Sequence, residues 1–489
     1  MTHGAMFDMV LTHNTNDCKG AFMTNRYLAV EPADHLHVPL ACIQPVLAKE
    51  GNPNIDIAKL KKLIDGCGVL DETVAIQSPE HWAKVISSIG EDVDAILPVS
   101  ITAYPTEVWN SHPKPLVERG LPLLFWPIIK YNEMDFWRWS ARDFLTAIGV
   151  DVHLIRNNEQ GLDILKSLAM KRFLKKSKIV VFGEQNFPWN APVAGHLVAE
   201  ALGTRIIVKP IAEIRERYSC FSDADVKAVW EKRKKRYVVK NVKEKEFQQA
   251  VRIYLSIKSI MEEEKALGFG VNCFGELVIQ GGRDVPCFAQ TLLREDGYIA
   301  SCDGDYLAMM SMVLSTYYLN QTSIMSNMYP VSFVGALTDH FGDPLSPGKK
   351  YPKSQWKNLA RLGHCGFVGV VSPEISPSGK VNLRDWGGTY EIKRDGRGCG
   401  IDGDMKPGRA TAIQYKFDGK TLLVGACEVC ETTHHKGMPH CESTALLRFR
   451  NLEGFVENIS REHSVIVYGD HIAEIETLCK VLGLKCLVF

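Results

Sequence analysis

The chain has 489 residues, 45% of them hydrophobic, which allows two to four domains each with a sizeable core. Lys+Arg and Asp+Glu are equal at 57 each, so no global field draws the protein to nucleic acid or to an anionic membrane. The 14 cysteines are scattered along a long chain, unlike the dense disulfide framework of a small secreted domain.

The N-terminal residues have neither the basic nor the apolar region of a signal peptide. No run of about 18 apolar residues marks a transmembrane helix. Free, largely buried thiols in a cytoplasmic protein are expected.

Residues 1–175 alternate β-rich runs (94–100, 121–129, 151–155) with helical ones (79–89, 141–148). Strand, helix, strand at this spacing predicts a parallel, helix-covered sheet in an N-terminal α/β domain. A second α/β domain is expected over 176–345. It opens with the buried strand 178–182 and a polar, aromatic loop, 183–190, that includes Trp189 and Asn190. A helix (194–202) and a strand (205–208) follow. The loop lacks G-x-G-x-x-G, so no dinucleotide fingerprint is present. From 223 to 267 the pattern is helical and charged, and its basic run 231–236 reads as a solvated face rather than a nucleic-acid patch. Residues 269–277 read as a strand. Glu276 near its end is a surface turn residue or a general acid/base, since burial raises a carboxyl toward neutrality.

Residues 298–330 carry the strongest signal. A short apolar strand runs into Cys302-Asp303-Gly304-Asp305, and a very apolar helix follows to Leu319. Strand-to-helix turns lie at the carboxyl ends of strands, where open α/β folds bind ligands. Either acid alone could be an N-cap; the pair beside Gly304 points to a ligand or acid/base role. Beyond 345 Gly and Pro punctuate short β segments, predicting a mainly antiparallel, barrel-like domain over 346–489 that ends in a β-α-β unit.

Two further sets need weighing. Cys427 and Cys430, with His434, His435, His440 and Cys441, have part of a zinc pattern, but strand neighbours alternate faces and the second half is irregular. In Gly363-His364-Cys365-Gly366, adjacent residues rarely orient as nucleophile and base, so His364 is a polar ligand contact rather than the partner of a catalytic thiol. Arg384, Arg394 and Arg409 could each meet an anionic group or simply lie on the surface.

In order along the chain stand Cys273-Phe-Gly-Glu-Leu277, Pro286-Cys-Phe-Ala289, Gly297-Tyr-Ile-Ala-Ser-Cys-Asp-Gly-Asp305, Gly363-His-Cys-Gly366, Lys406-Pro-Gly-Arg-Ala-Thr411 and His463-Ser-Val-Ile-Val-Tyr-Gly-Asp470. Taken together, they resemble the L-fucose and L-arabinose isomerase superfamily, in its divergent sugar-isomerase-like branch. The resemblance implies two Rossmann-like α/β domains with parallel sheets, then a C-terminal β-barrel domain. It implies a divalent metal, usually Mn²⁺ with Mg²⁺ or Co²⁺ as alternatives, and aldose–ketose interconversion of a small sugar through an ene-diolate. It also implies a homo-oligomer, trimer or hexamer. Carried over, the metal ligands fall on Asp303, Asn327 and His463. Asp303 stands where the family has Glu, and Asn327 stands where it has Asp. Asp303 or Glu276 would move the proton; Trp189, Asn190, Asp305, His364 and Arg409 would contact the substrate. A carbon–carbon lyase or transferase using the same enediolate, or a non-catalytic sugar-binding protein, are the alternatives on this scaffold.

Overall fold

A computed structural model describes residues 28–48, 52–53, 56–101, 113–127, 136–273, 276–277, 284–372, 375–376, 381–386, 388–389, 392–393, 398–434 and 443–489. The chain divides into two compact units, one built on His37–Phe173 and one on Leu174–Phe489 with residues 28–36. The expected boundary at 175/176 falls beside this division. The expected boundary at 345/346 falls inside the second unit.

In the first unit β1 (Ala41–Ala48), β2 (Asn52–Pro53), β3 (Gly68–Leu70), β4 (Val74–Ile76), β5 (Ala95–Pro98), β6 (Ser100–Ile101), β7 (Leu123–Phe125) and β8 (Val152–Leu154) follow in turn. The main sheet is parallel in the order β3-β1-β5-β7-β8, with β4 also on β1. Strand β5 is buried at every position, as a strand covered on both faces must be, hence its continuous apolar sequence. Helix Pro79–Ser88 begins with Ser78 accepting from His81 N and Pro79 in the first turn, two features that start a helix. Its Trp82, Val85 and Ile86, spaced along one helical face, are buried in the core.

The second unit contains β9 (Lys178–Phe182), β10 (Arg205–Lys209), β11 (Tyr237–Lys240), β12 (Gly268–Val271), β13 (Ile299–Cys302), β14 (Ser323–Pro330), β15 (Leu359–Gly369), β16 (Val381–Asp385), β17 (Gly388–Thr389), β18 (Ile392–Lys393), β19 (Cys399–Asp402), β20 (Gly408–Tyr415), β21 (Thr421–His434), β22 (Ser443–Phe449), β23 (His463–Tyr468) and β24 (Lys485–Val488). A parallel sheet runs β10-β9-β12-β13. Chain direction across it reverses between β9 and β12, the place where open sheets of this kind leave a crevice. A barrel runs β20-β23-β14-β15-β22-β21 and closes through the β20–β21 pair, with β24 parallel to β21. Closure removes the unpaired edges that six antiparallel strands would otherwise expose. Strand β14, which precedes residue 345, already belongs to the barrel. Between the parallel sheet and the barrel lies helix Tyr306–Val313, packed against β13 on one side and β20 and β23 on the other. It is buried at every position, which explains why Tyr306-Leu-Ala-Met-Met-Ser-Met-Val313 has no polar face.

One expectation is corrected. Residues 223–267 are not helical throughout: β11 intervenes and pairs with β16. Most of the basic run is solvated as expected, with Glu231, Lys232, Lys234 and Lys235 exposed, while its two arginines turn inward. Arg233 is buried against Glu295 and Asp296, and Arg236 pairs with Glu295 at 2.7 Å. Among the described residues, no helix is long and apolar enough to cross a membrane, and the cysteines are free thiols.

Candidate metal centre

Strand β13 ends at Cys302, and the chain turns sharply. Asp303 (φ 54°) and Gly304 (φ 62°) are both left-handed. Glycine adopts this region freely and aspartate is among the few other residues that visit it. The turn is held by the 183–190 loop: Asn190 Nδ2 and Trp189 Nε1 donate to the Asp303 carbonyl at 3.0 and 3.2 Å. It is also pressed onto β12. A Cβ at Gly270 would lie 2.9 Å from Gly304 Cα, and a Cβ at Gly304 would lie 3.3 Å from Asn190 Nδ2 and Val181 Cγ1. Asp305 then caps the buried helix, its Oδ1 accepting from Leu307 N and Ala308 N at 2.9 and 2.8 Å.

The second oxygen of Asp305 turns to the barrel. It accepts from Arg461 Nε at 2.6 Å and meets His463 Nδ1 at 2.8 Å. A carboxylate on Nδ1 keeps the proton there, so Nε2 presents its lone pair. That Nε2 lies 3.7 Å from Asp303 Oδ2. Burial would raise the Asp305 carboxyl, but Arg461 and His463 outweigh it and hold the group below the usual carboxylate range. Burial would lower the His463 imidazole; the bond to Asp305 and the charges of both aspartates reverse this, and the net direction is up. For Asp303 burial dominates and pushes the carboxyl up, against the attraction of His463.

The third member comes from an irregularity in the barrel. Met325 pairs with Val368 and Asn327 pairs with Gly363. Between these pairs one residue of β14, Ser326, faces four of β15, residues 364–367. Such a bulge re-aims a side chain without ending the ladder. The His364 ring is carried to 5.7 Å from the His463 ring, centroid to centroid. Gly363 allows the excursion, since a Cβ there would meet the Phe341 ring at 2.4 Å. Donor atoms of Asp303, His364 and His463 consequently all lie within 4.8 Å of one another.

One carboxylate and two imidazoles, one imidazole already oriented by a second carboxylate, fit a divalent transition metal. Accessibility fits as well. The Asp303 side chain is 21% exposed, against 2% for His463 and 0% for Asp305, so Asp303 is the acid that can meet an incoming ligand. Trp189 sets its ring edge-on to His463 at 5.6 Å and stacks on Phe187. His364 also lines a small pocket whose walls include Ile324, Leu362, Phe367, Val368 and Met405.

The expected residues divide accordingly. Asp303 and His463 come together as the sequence reading placed them. His364, expected as a substrate contact, joins them as a third donor. Asn327 lies directly across the ladder from His463, and its amide donates to Tyr329 Oη at 3.3 Å. Asp305, expected to touch substrate, is fully buried with both oxygens occupied. Its role is to orient His463 and cap the helix. Asn190 is likewise buried, its Oδ1 accepting from Phe187 N and its Nδ2 serving Asp303. Strand β12 stops at Val271 rather than 277. Glu276 therefore sits past the strand, its Oε1 accepting from Glu184 N at 2.6 Å beside the β9–β12 crevice. Arg409 is exposed at the start of β20, beside the Tyr468 end of β23. His463 is at the other end, so about 20 Å of strand separates them. Arg384 is engaged by Asp402 at 2.9 Å. Cys427 and Cys430 lie on one strand, β21; Arg394, His435, His440, Cys441 and the side chain of His434 lie outside the described residues.

Sequence reading missed Arg461 and the position of Cys273. Arg461 stands two residues before His463 and both reach Asp305 Oδ2, a spacing that could have paired them. Cys273 Sγ lies 3.6 Å from Asp303 Oδ1. The neighbouring Cys302 thiol, burial and the Asp303 charge together push Cys273 well above the ordinary thiol range, so it stays S–H.

No curated protein matches the chain. Residues 194–318, which run from helix Pro192–Leu202 through the Asp303 turn and the buried helix, match the family model of the L-arabinose isomerase central domain. The match supports a sugar isomerase family of the arabinose/fucose isomerase type.

Proposed function

We propose that the chain is a divalent-metal-dependent isomerase that interconverts the aldose and ketose forms of a small sugar or sugar derivative. The observation that carries this reading is the convergence of Asp303, His364 and His463 within 4.8 Å. The central-domain match over 194–318 supports it. Asp303, one ring nitrogen of His364 and His463 Nε2 would hold the ion. Such a set accepts Mn²⁺, and its two imidazoles favour Mn²⁺ or Co²⁺ over Mg²⁺. The chemistry an ion supplies there is Lewis-acid polarisation of the sugar carbonyl and its neighbouring hydroxyl, offsetting the charge that builds as the C2 proton leaves.

The chain's own residues do the rest. Asp305 keeps a proton on His463 Nδ1 and so keeps Nε2 facing the site. Arg461 balances the Asp305 charge, which would otherwise be buried uncompensated. The Trp189 ring shields one side from water. Glu276 is the carboxylate that moves the proton between C1 and C2, because Asp303 is committed to the ion.

The test is a panel of aldoses and ketoses in D₂O with Mn²⁺, Co²⁺ or Mg²⁺. The expected result is metal-dependent interconversion with partial solvent deuterium in the product, lost in Asp303→Ala. No turnover with any pair, together with unchanged metal binding in Asp303→Ala, would sink the reading.

A further inference from the structure

We propose that Cys273 is a positioning residue for Asp303: its thiol, 3.6 Å from Asp303 Oδ1, sets the carboxylate so that Oδ2 faces His463. The inference rests on the metal reading of Asp303.

The anchors supplied by Trp189 and Asn190 act on the Asp303 carbonyl and fix the backbone alone. Two torsions of the side chain remain to be fixed. Among the described residues, the carboxylate itself is met by Cys273 Sγ at one oxygen and by His463 Nε2 at the other. If His463 spends its Nε2 lone pair on a metal, it cannot also orient the acid. Cys273 then remains as the group that does.

Its surroundings suit that task. Cys273 is 4% exposed, so water competes little for the S–H and the bond gains from the low local dielectric. The adjacent Cys302 thiol also meets Cys273, but its own proton goes to Gln290 Oε1 at 3.4 Å, so it does not compete for Asp303 Oδ1. A small apolar side chain at 273 would leave Asp303 Oδ1 against a wall that offers it nothing, and a partly buried carboxylate oxygen without a donor turns to find one. Groups that hold a metal-binding carboxylate from behind in this way commonly contribute ten- to a hundredfold in metal affinity.

The experiment titrates full-length wild type, Cys273→Ala and Cys273→Ser with Mn²⁺, following free Mn²⁺ by electron paramagnetic resonance, with a melting curve for each. The expected result is an affinity about tenfold weaker in Cys273→Ala at a nearly unchanged melting temperature. Cys273→Ser should fall between the two, because its hydroxyl can donate but lies nearer its own Cβ. Equal Mn²⁺ affinity in all three overturns the proposal, as does a lowered melting temperature with unchanged affinity, which marks Cys273 as a packing residue. If Cys273→Ala does not fold, Cys273→Ser against wild type decides on the same criteria. If wild type itself binds no Mn²⁺, the metal reading fails on its own. The crystal structure of Cys273→Ala then decides this one: an Asp303 carboxylate turned away supports it, and one left in place overturns it.

Discussion

Replacing Asp305 by Asn changes one atom in the most heavily used side chain of the site. Asp305 Oδ1 caps the buried helix through two backbone N–H groups, and Oδ2 accepts from Arg461 Nε and meets His463 Nδ1. An amide keeps only one acceptor. If its oxygen stays at the cap, its NH₂ faces two other donors, and the buried Arg461 loses its counter-charge. If the amide flips, the cap is lost. Breaking a buried ion pair from one side costs about 3–5 kcal/mol in either orientation, because the amide is neutral both ways, and the flip adds about 1 kcal/mol for the lost cap. At roughly 2.1 cal/mol/K per residue, the unfolding entropy of a unit the size of Leu174–Phe489 is about 0.7 kcal/mol/K. The melting temperature should therefore fall by about 4–9 °C, the flipped arrangement lying at the upper end. With the oxygen at the cap, His463 loses the acceptor that fixes its tautomer, and Mn²⁺ affinity should fall about 10- to 100-fold; with the amide flipped, an amide oxygen still faces Nδ1 and the fall is smaller. Differential scanning calorimetry and Mn²⁺ titration measure the two effects. The pH dependence has a defined sign. The folded carboxyl is held below its ordinary value, so its stabilisation is complete above pH about 4 and is lost as pH falls through the folded value. The gap between wild type and Asp305→Asn should narrow over that acid range. A variant that melts and binds metal like wild type would refute the account of how His463 is oriented.

Three further outcomes follow from the geometry. His471 has Glu474 Oε2 at Nδ1 (2.6 Å) and the Tyr468 carbonyl at Nε2 (2.9 Å); two acceptors require two donated protons, and although burial works to lower the imidazole, Glu474 outweighs it and the net direction is up. Its contribution is therefore full below pH about 6.5 and lost as pH rises through the folded value; the melting temperatures of wild type and His471→Gln should converge at alkaline pH, and a constant gap would count against the charged form. Gly304→Ala places a Cβ in a left-handed residue 3.3 Å from Asn190 and Val181 and should cost about 1–3 kcal/mol in a denaturant melt; no loss would mean that the turn is looser than described. Trp189→Phe keeps an aromatic wall but removes the donor to the Asp303 carbonyl; Mn²⁺ affinity should drop several-fold with little change in melting temperature, and an unchanged affinity would show that Asn190 alone holds the turn.

What the sequence made legible follows from how locally each feature is encoded. The Asp303 turn could be read because a strand buried on both faces, two turn acids and an all-apolar helix are adjacent in the chain. His463 came from the resemblance carried by the motif His463-Ser-Val-Ile-Val-Tyr-Gly-Asp470; the β-forming run it opens places it at a strand end but does not mark it as a ligand. His364 could not be placed, because its position depends on a register slip against β14, and nothing within residues 359–369 announces that slip. Strand β14 itself, Ser323-Ile-Met-Ser-Asn-Met-Tyr-Pro330, is buried on both faces and shows no alternation, so its start within the region read as α/β went unseen. Strand β11 is short and three of its four residues are exposed; flanking charged helices mask so brief a signal. Asp305 illustrates the opposite case. The modest reading as an N-cap holds, and the additional role depends on Arg461 and His463, more than 150 positions away.

The four-residue excursion of β15 separates two kinds of constraint. The ladder resumes at Val368 on one side and Gly363 on the other, so the length of the detour can change without unpicking the barrel. Removing one residue from 364–367 would keep the strands joined and send the imidazole elsewhere. A lineage could thus move or discard the His364 imidazole by a small deletion while the scaffold, the capped helix and the Asp303 turn stay as they are. Chemistry on this fold is exchangeable in a piece that the architecture does not need.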